Sequence, residues 1–486
     1  MIVLRGALRV CKLQARSISS MDRPMRSQGS LCIAGLIVAA ATALFACAAA
    51  HHVLYRTGLD LSIFDQAVYL ISKHELPVSS IRGLPHILAD HAAYVLYALA
   101  LVYRLHASAY WLLLIQAASL ALGAWPVWRL SKDAGLPDET ARAMAVAYLL
   151  YPVAFNANLN DFHPEVIAVP ALLLTILAAR RHQLYCCLLC AIVVVSCKSV
   201  LGLTLVGLGA WLFVSEQRAY GGAVAAIGLG GFLLAVLVVV PHFSGTNAAD
   251  TEIKRYAYLG TSVAEVVWHL VVRPDLWVPR LVSISSLGYL IGLVLPVAWG
   301  IQPGCLAPLL GAAPAVLLNV LADQQQQRHL TNQYSLPVFP FLVMAAMCAL
   351  VRRRAWLSSA RAIMVWAAIG FLAYADTAQL FRSVQTNGTW RATREALRQV
   401  GPNGGVLTDS CLAAHLAHRR GIYLLQQPYA ANPIPTDVQF IVLSLRSPCS
   451  DETAQHGEAS LSDDLKASGA FRVVYERDGV LAFARN

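Results

Sequence analysis

Residues 183–214 read QLYCCLLCAIVVVSC followed by KSVLGLTLVGLGAWLFV, and Lys198 is the only formal charge in the stretch. Arg180 and Arg181 precede it and Arg218 follows. Two apolar runs with arginines at both outer ends and a lysine at the turn have no place on a soluble surface. They predict a tight helical hairpin in lipid, 183–198 and 200–214, with Lys198 at its outer tip.

The same pattern recurs outward in both directions. Further spans are expected over 31–50, 109–128, 142–157, 164–180, 221–241, 284–300, 305–321, 335–350 and 360–377. Several are shorter than the roughly 20 residues of a full crossing. The whole chain is 57% hydrophobic and 13% charged over 486 residues. Soluble proteins are roughly a quarter charged, and their cores stop growing near about 250–300 residues. The fold class is therefore an α-helical polytopic membrane protein of about eleven transmembrane helices, with a small C-terminal α/β soluble domain.

Charge sets the expected orientation. A basic cytoplasmic tail over 1–30 carries Arg5, Arg9, Lys12, Arg16, Arg23 and Arg26 against Asp22. Arg129, Lys132, Arg142, Arg180, Arg181, Arg218, Arg352, Arg353, Arg354 and Arg361 then fall in inner loops. Asp60, Asp65, Asp161, Glu165, Asp250, Glu252 and Asp323 fall outside. A long external loop is expected over 51–105, with 92–105 lying along the membrane surface. The transmembrane domain is read as 31–377, and 378–486 as an extracytoplasmic domain. The implied location is the inner (plasma) membrane, multi-pass, with a cytoplasmic N-terminus. The net charge of +10 is absorbed by these loops, and no basic stripe with interleaved aromatics points to nucleic acid.

The C-terminal segment is read as helix 390–400, strand 405–408, helix 411–419, strand 421–425, strand 438–445, helix 461–467 and a hairpin over 471–484, a mainly parallel sheet. It carries no glycine-rich phosphate loop. Most of the eleven cysteines sit in apolar runs as small hydrophobes. Cys411 and Cys449 fall in the polar domain, where an oxidising compartment would let them pair.

The candidate chemistry lies in three outer clusters. These are Gly58 to Gln66 with Asp60 and Asp65, the step Asp90-His91, and Asn160-Asp161-Phe162-His163-Pro164-Glu165. Lys198 and the stretch Gln327 to Tyr334, with His329 and Tyr334, join them. A carboxylate at the bilayer centre costs on the order of 3 kcal/mol, so acids near spans face cavities or partners. If these groups converge, they suit acid–base work or a cation site. Each has a plainer role. Asp60 and Asp65 could cap helices, Glu165 could meet a helix dipole, and Lys198 could snorkel to the interface. Asp161 with His163, or Asp90 with His91, could hold a divalent cation, though the spacing is weak.

Several of these stretches resemble a family of predicted bacterial membrane proteins, domain of unknown function two-zero-seven-nine. The matching pieces are Phe64-Asp65-Gln66, Asp90-His91, Gln116 to Pro126, Tyr148 to Pro152 with Asp161 to Pro164, Asn332 to Pro337, and His415 to Arg419. The resemblance implies kinship with membrane glycosyltransferases of the GT-C type, which use lipid-phosphate-linked sugars. It implies an acid of the first external loop, Asp60 or Asp65, as the catalytic base. Asp90, His91, Asp161, His163, Glu165, Lys198, His329 and Tyr334 would bind a polyprenyl-phosphate sugar donor, and Asp65→Asn would abolish transfer. Where the family has a polar residue and proline after Asp90-His91, this chain has Ala92-Ala93-Tyr94. Where the family has Glu-Asp after the lysine, Ser199-Val200 follow Lys198. A lipid-intermediate flippase and a non-catalytic scaffold are the competing readings.

Overall fold

The computed structural model describes residues 23–244, 253–379, 381, 389–425, 434–447, 449 and 452–486. Residues 1–22 of the basic tail, and Asp250 and Glu252, lie outside them.

Each stretch read as a span is helical. Helix α1 (Arg23–Val53) leads into α2 (Leu59–Ser72), a short turn α3 (Leu88–His91) and α4 (Val95–Tyr103). The expected external loop is thus largely helical, and α2, absent from the sequence reading, is its main element. Helices α5 (Tyr110–Leu122) and α6 (Ala124–Asp133) run on as one rod that stops before Gly135, whose φ of +84° suits a helix end. The run expected as one span over 142–157 is two helices, α7 (Asp138–Leu149) and α8 (Pro152–Leu159). Pro152 explains the break, because it disfavours helix at Tyr151 yet fits the first position of a new helix.

Helices α9 (Glu165–Arg180), α10 (Leu184–Cys197) and α11 (Leu201–Val214) follow. Helix α12 (Arg218–Leu234) continues through a π turn to Ser244. Two helices not read from sequence, α13 (Val263–Val272) and α14 (Pro274–Leu281), bury none of their residues. Helices α15 (Ile284–Val294), α16 (Leu309–Leu321), α17 (Phe339–Val351) and α18 (Ala360–Tyr374) complete the helical part.

Among the described residues, three rods are long and apolar enough to cross a bilayer: Gly29–Val53, Tyr110–Asp133 and Arg218–Ser244, of 25, 24 and 27 residues. The pair Pro274–Leu281 and Ile284–Gly300, bent by 52°, makes a fourth if counted as one span. At ~1.5 Å per residue, a helix of fourteen residues covers roughly two thirds of a 30 Å hydrocarbon layer.

Helices α11 and α12 pack glycine on glycine. A Cβ added to Gly209 would stand 2.6 Å from the Gly221 carbonyl oxygen, and one added to Gly221 would stand 2.5 Å from that of Gly209. Gly202 and Gly228 make the same close approach one step further along. Small residues at such a seam let backbones meet where lipid offers no hydrophobic drive.

Charged pairs stand at both ends of α9. At one end Arg181 pairs with Asp133 at 2.7 Å, beside the Lys132–Asp138 pair at 2.9 Å. About 24 Å away along the helix axis, its other end begins at Glu165.

The C-terminal unit contains α19 (Trp390–Arg398), β1 (Gly405–Thr408), α20 (Ser410–Ala413), β2 (Ile422–Leu424), β3 (Val438–Ser444), α21 (Glu452–Ser468), β4 (Phe471–Arg477) and β5 (Val480–Arg485). Strand order is β2-β1-β3-β5-β4. The β1 pairings are parallel and the β5 pairings antiparallel, so the sheet is mixed rather than mainly parallel. Cys411 and Cys449 are joined in a disulfide, with Cα atoms 5.9 Å apart. The helix expected over 411–419 stops at Ala413, because the next residues are bonded elsewhere, as shown below.

Candidate functional site

The site starts from α8. This helix is buried at every position and carries Asn156 and Asn158 among apolar neighbours. Buried amides need partners. Asn158 donates to the Leu44 carbonyl at 2.9 Å, and Asn156 donates to those of Leu330 and Tyr374 at 3.2 and 2.9 Å. Gln116 of α5 donates to the Asn158 carbonyl at 3.1 Å and accepts from the His163 amide at 3.3 Å. Helix α8 is thus tied to α1, α5 and α18, and the loop that follows it is tied to α5.

In that loop Asp161 has a φ of +62°, a left-handed conformation that Asp tolerates better than most residues. Its buried carboxylate accepts the Gly58 amide at 2.7 Å and the Asp60 amide at 3.1 Å, capping α2 from another part of the chain. Burial, then the neighbouring Asp60 charge, push the Asp161 carboxyl up to about 6, although the Gly58 amide, the His163 charge and the Leu61 amide oppose this.

Asp60, in the first turn of α2, meets His163 Nε2 at 3.0 Å. Burial works against its charge, but the His163 hydrogen bond and the His163, Lys198 and His91 charges outweigh this and hold its carboxyl at about 2. Its side chain is still 43% exposed, so it borders open space while the His163 ring, 3% exposed, forms the wall. Burial lowers the His163 imidazole, and the Asp60 contact more than reverses this, so its net shift is upward.

Glu165 and Lys198 form the second pair, 2.7 Å apart with side chains 7% and 11% exposed. The carboxylate beside Lys198 thus comes from α9, across from Ser199-Val200. Asp90 completes the group: Arg82 lies at 3.2 Å and His91 at 3.6 Å, and the Ser199 amide donates to the His91 carbonyl at 3.1 Å. Burial raises the Asp90 carboxyl, but the His91, Arg82 and Lys198 charges win and hold it below its ordinary range. Asp60, Asp90, His91, Asp161, His163, Glu165 and Lys198 therefore share one cluster.

Asp65 does not join it. Five residues along a helix turn the side chain by about 140°, so Asp65 leaves α2 on another face. There the Tyr103 hydroxyl donates to its Oδ1 at 2.6 Å and His418 Nε2 lies 3.2 Å from the same oxygen. It lines a recess of about 210 Å³ with His52, Tyr110, His415, His418 and Arg419. The idea of one pocket holding both Asp60 and Asp65 is corrected accordingly. The His329–Tyr334 stretch meets the cluster's edge through Asn332, which accepts from Asn160 at 3.0 Å. Among the described residues, neither the His329 ring nor the Tyr334 hydroxyl makes a hydrogen bond into the cluster. Arg82, Gln116 and Tyr103 are partners the sequence reading did not assign. The last two lie in or beside segments it had quoted, and Arg82 carried no signal.

Among the described residues, no three His, Cys, Asp or Glu side chains are placed to hold a metal ion. The donor set explains why. Both Asp161 oxygens face backbone amides, Glu165 faces an ammonium, and Asp60 faces an imidazole.

Predicted membrane proteins described as DUF2079 match residues 50–482. The chain belongs to the DUF2079 family. No curated protein sequence matches it. Among solved structures it is similar to ArnT from Cupriavidus metallidurans bound to undecaprenyl phosphate. That match has a TM-score of 0.55 and 13% identity, covering 93% of this chain and 97% of that one. For the apo state of the same protein the values are 0.56, 13%, 94% and 98%. DUF2079 here therefore has an ArnT-like fold over nearly the whole length.

The Asp60–His163 pair carries a pH prediction. Asp60's depressed pKa gives stability that is full above its ordinary 3.8 and lost as pH falls through about 2. His163's raised pKa gives stability that is full below its ordinary 6.5 and lost as pH rises through the folded value above it. The Tm difference between the native protein and Asp60→Asn should be greatest from about pH 4 to 6.5 and shrink toward pH 9. A difference that grows on the alkaline side would refute the pairing.

Proposed function

We propose that this DUF2079 chain is a membrane glycosyltransferase of the GT-C type that takes its sugar from a polyprenyl phosphate. The observation that carries the reading is the half-exposed carboxylate of Asp60 set among Lys198, His163 and His91. The ArnT-like fold supports it, since one of the ArnT structures holds undecaprenyl phosphate.

The acceptor hydroxyl attacks the anomeric carbon as the bond from that carbon to the phosphate oxygen breaks. The acceptor proton goes to Asp60 and the polyprenyl phosphate leaves, its charge held by Lys198 and the neighbouring cations. A carboxyl at about 2 is a weak base. The same cations that hold it there are the ones a donor phosphate would neutralise, so donor binding raises its basicity. We place the cluster and the sheet domain on the external face, with the arginine-rich ends in the cytoplasm.

Undecaprenyl phosphate tests this directly. Added to the purified chain at about one hundred times its Kd, it should stabilise the fold by roughly 2.7 kcal/mol. Asp60→Asn should keep that shift and Lys198→Ala should lose it. A lipid phosphate that leaves the melting curve of the native protein unmoved at every concentration would count against the reading.

A further inference from the structure

Helix α2 is held at two places by two distant parts of the chain. Its N-terminus, with Asp60, is capped by Asp161. Its middle is held by the segment that follows β1. Besides the Asp65–His418 contact at 3.2 Å, Gln66 donates to the Arg419 and Arg420 carbonyls, both at 3.0 Å, and to Ser80 Oγ at 2.8 Å. Tyr69 stacks on the His418 ring at 4.6 Å with planes 7° apart. The Ser80 hydroxyl in turn accepts the Ile422 amide at 2.8 Å, the first residue of β2. At the other end of the segment, Cys411 is bridged to Cys449 just past β3. Residues 414–421 are thus fastened to the sheet on both sides and aim polar groups at one face of α2.

The bonds to Gln66 use backbone carbonyls and define the height of α2. The bond to Asp65 uses a side chain on the face turned from Asp60 and defines its rotation. A helix held by a charged group on one face and capped at its end has no free turn left. We infer that His418 is a positioning residue: through Asp65 it sets the rotation of α2 and so presents Asp60 to the cluster. The sheet domain is then a working part of the site rather than a passenger. Its effect on turnover rests on the transferase reading; its effect on α2 does not.

The test is hydrogen–deuterium exchange on the purified full chain in nanodiscs, comparing native protein, His418→Ala, Asp65→Asn, the double variant and His418→Gln. Losing a hydrogen bond to a charged group should shift a local opening equilibrium by about tenfold. Peptides covering 57–62 should therefore exchange about tenfold faster in both single variants, with no further gain in the double. Peptides over 170–180 should be unchanged. His418→Gln, which keeps an N–H donor, should restore most of the protection. Acceleration confined to 65–72 and 414–420, with 57–62 unmoved, would reduce the contact to domain docking and overturn the inference. Additive effects in the double variant would overturn it as well. Where the native protein turns over, His418→Ala should lower kcat with KM for the lipid donor unchanged, and a change in KM alone would contradict positioning. If the native protein shows no turnover, the exchange data still decide the inference and the transferase reading fails separately.

Discussion

Asp60→Asn should lower sugar transfer by about 10²- to 10⁴-fold, the usual contribution of a positioned base, while the protein still folds and still binds lipid phosphate. The substitution is close to isosteric, and the side chain faces open space with 43% exposure. The new amide oxygen still accepts from His163 Nε2, so the wall of the site keeps its hydrogen bond. What disappears, on the proposed mechanism, is the group that receives the acceptor's proton. Asp65→Asn, singled out by sequence alone, is expected to act only through α2, at about the tenfold level of one charged hydrogen bond. Transfer rates for the two variants, measured with a polyprenyl-phosphate sugar, separate the roles. Full turnover in Asp60→Asn with none in Asp65→Asn would exchange them.

Glu165→Ala should destabilise the protein by about 3–5 kcal/mol, because it removes the carboxylate 2.7 Å from a buried ammonium. Lys198 and Glu165 are 2.7 Å apart and 11% and 7% exposed, so little water is at hand to take the partner's place. Truncating both together, as Glu165→Leu with Lys198→Met, should recover most of that loss, since no uncompensated charge remains. Urea or SDS titration in bicelles, followed by tryptophan emission, reads both. A single variant within about 1 kcal/mol of native would mean that Lys198's charge is satisfied without Glu165.

Much of the helical framework was legible because lipid leaves a blunt signature: apolar runs punctuated by arginine. The gathering of Asp60, Asp161, His163, Glu165 and Lys198 was legible for a related reason, since polar groups at span ends have few places to go. Breaks inside spans were harder. Pro152 divides 142–157 although the apolar run is continuous. The α2 helix was missed because its Ser62, Asp65 and Gln66 are buried, which blurs the contrast between a greasy and a polar face. The separation of Asp65 from Asp60 follows directly from helical pitch, but only once the segment is known to be a helix. The 411–419 stretch read as helix on local propensity. A contact 353 residues away in sequence, from Gln66 to Arg419, overrode it, and no local pattern could have announced it.

The seam between α11 and α12 has a mechanical consequence. Backbone meets backbone at Gly202, Gly209, Gly221 and Gly228, leaving no flexible side chains to act as bearings. The two helices should travel as a single rigid body, and Lys198, at the head of α11, travels with them. On the transferase reading, a long isoprenoid tail then has no doorway between these two. The oily flank of α12, where Leu229, Leu233, Leu234 and Leu237 stand exposed, offers it an apolar surface instead. Bulky replacements there should throttle lipid entry without touching the chemistry.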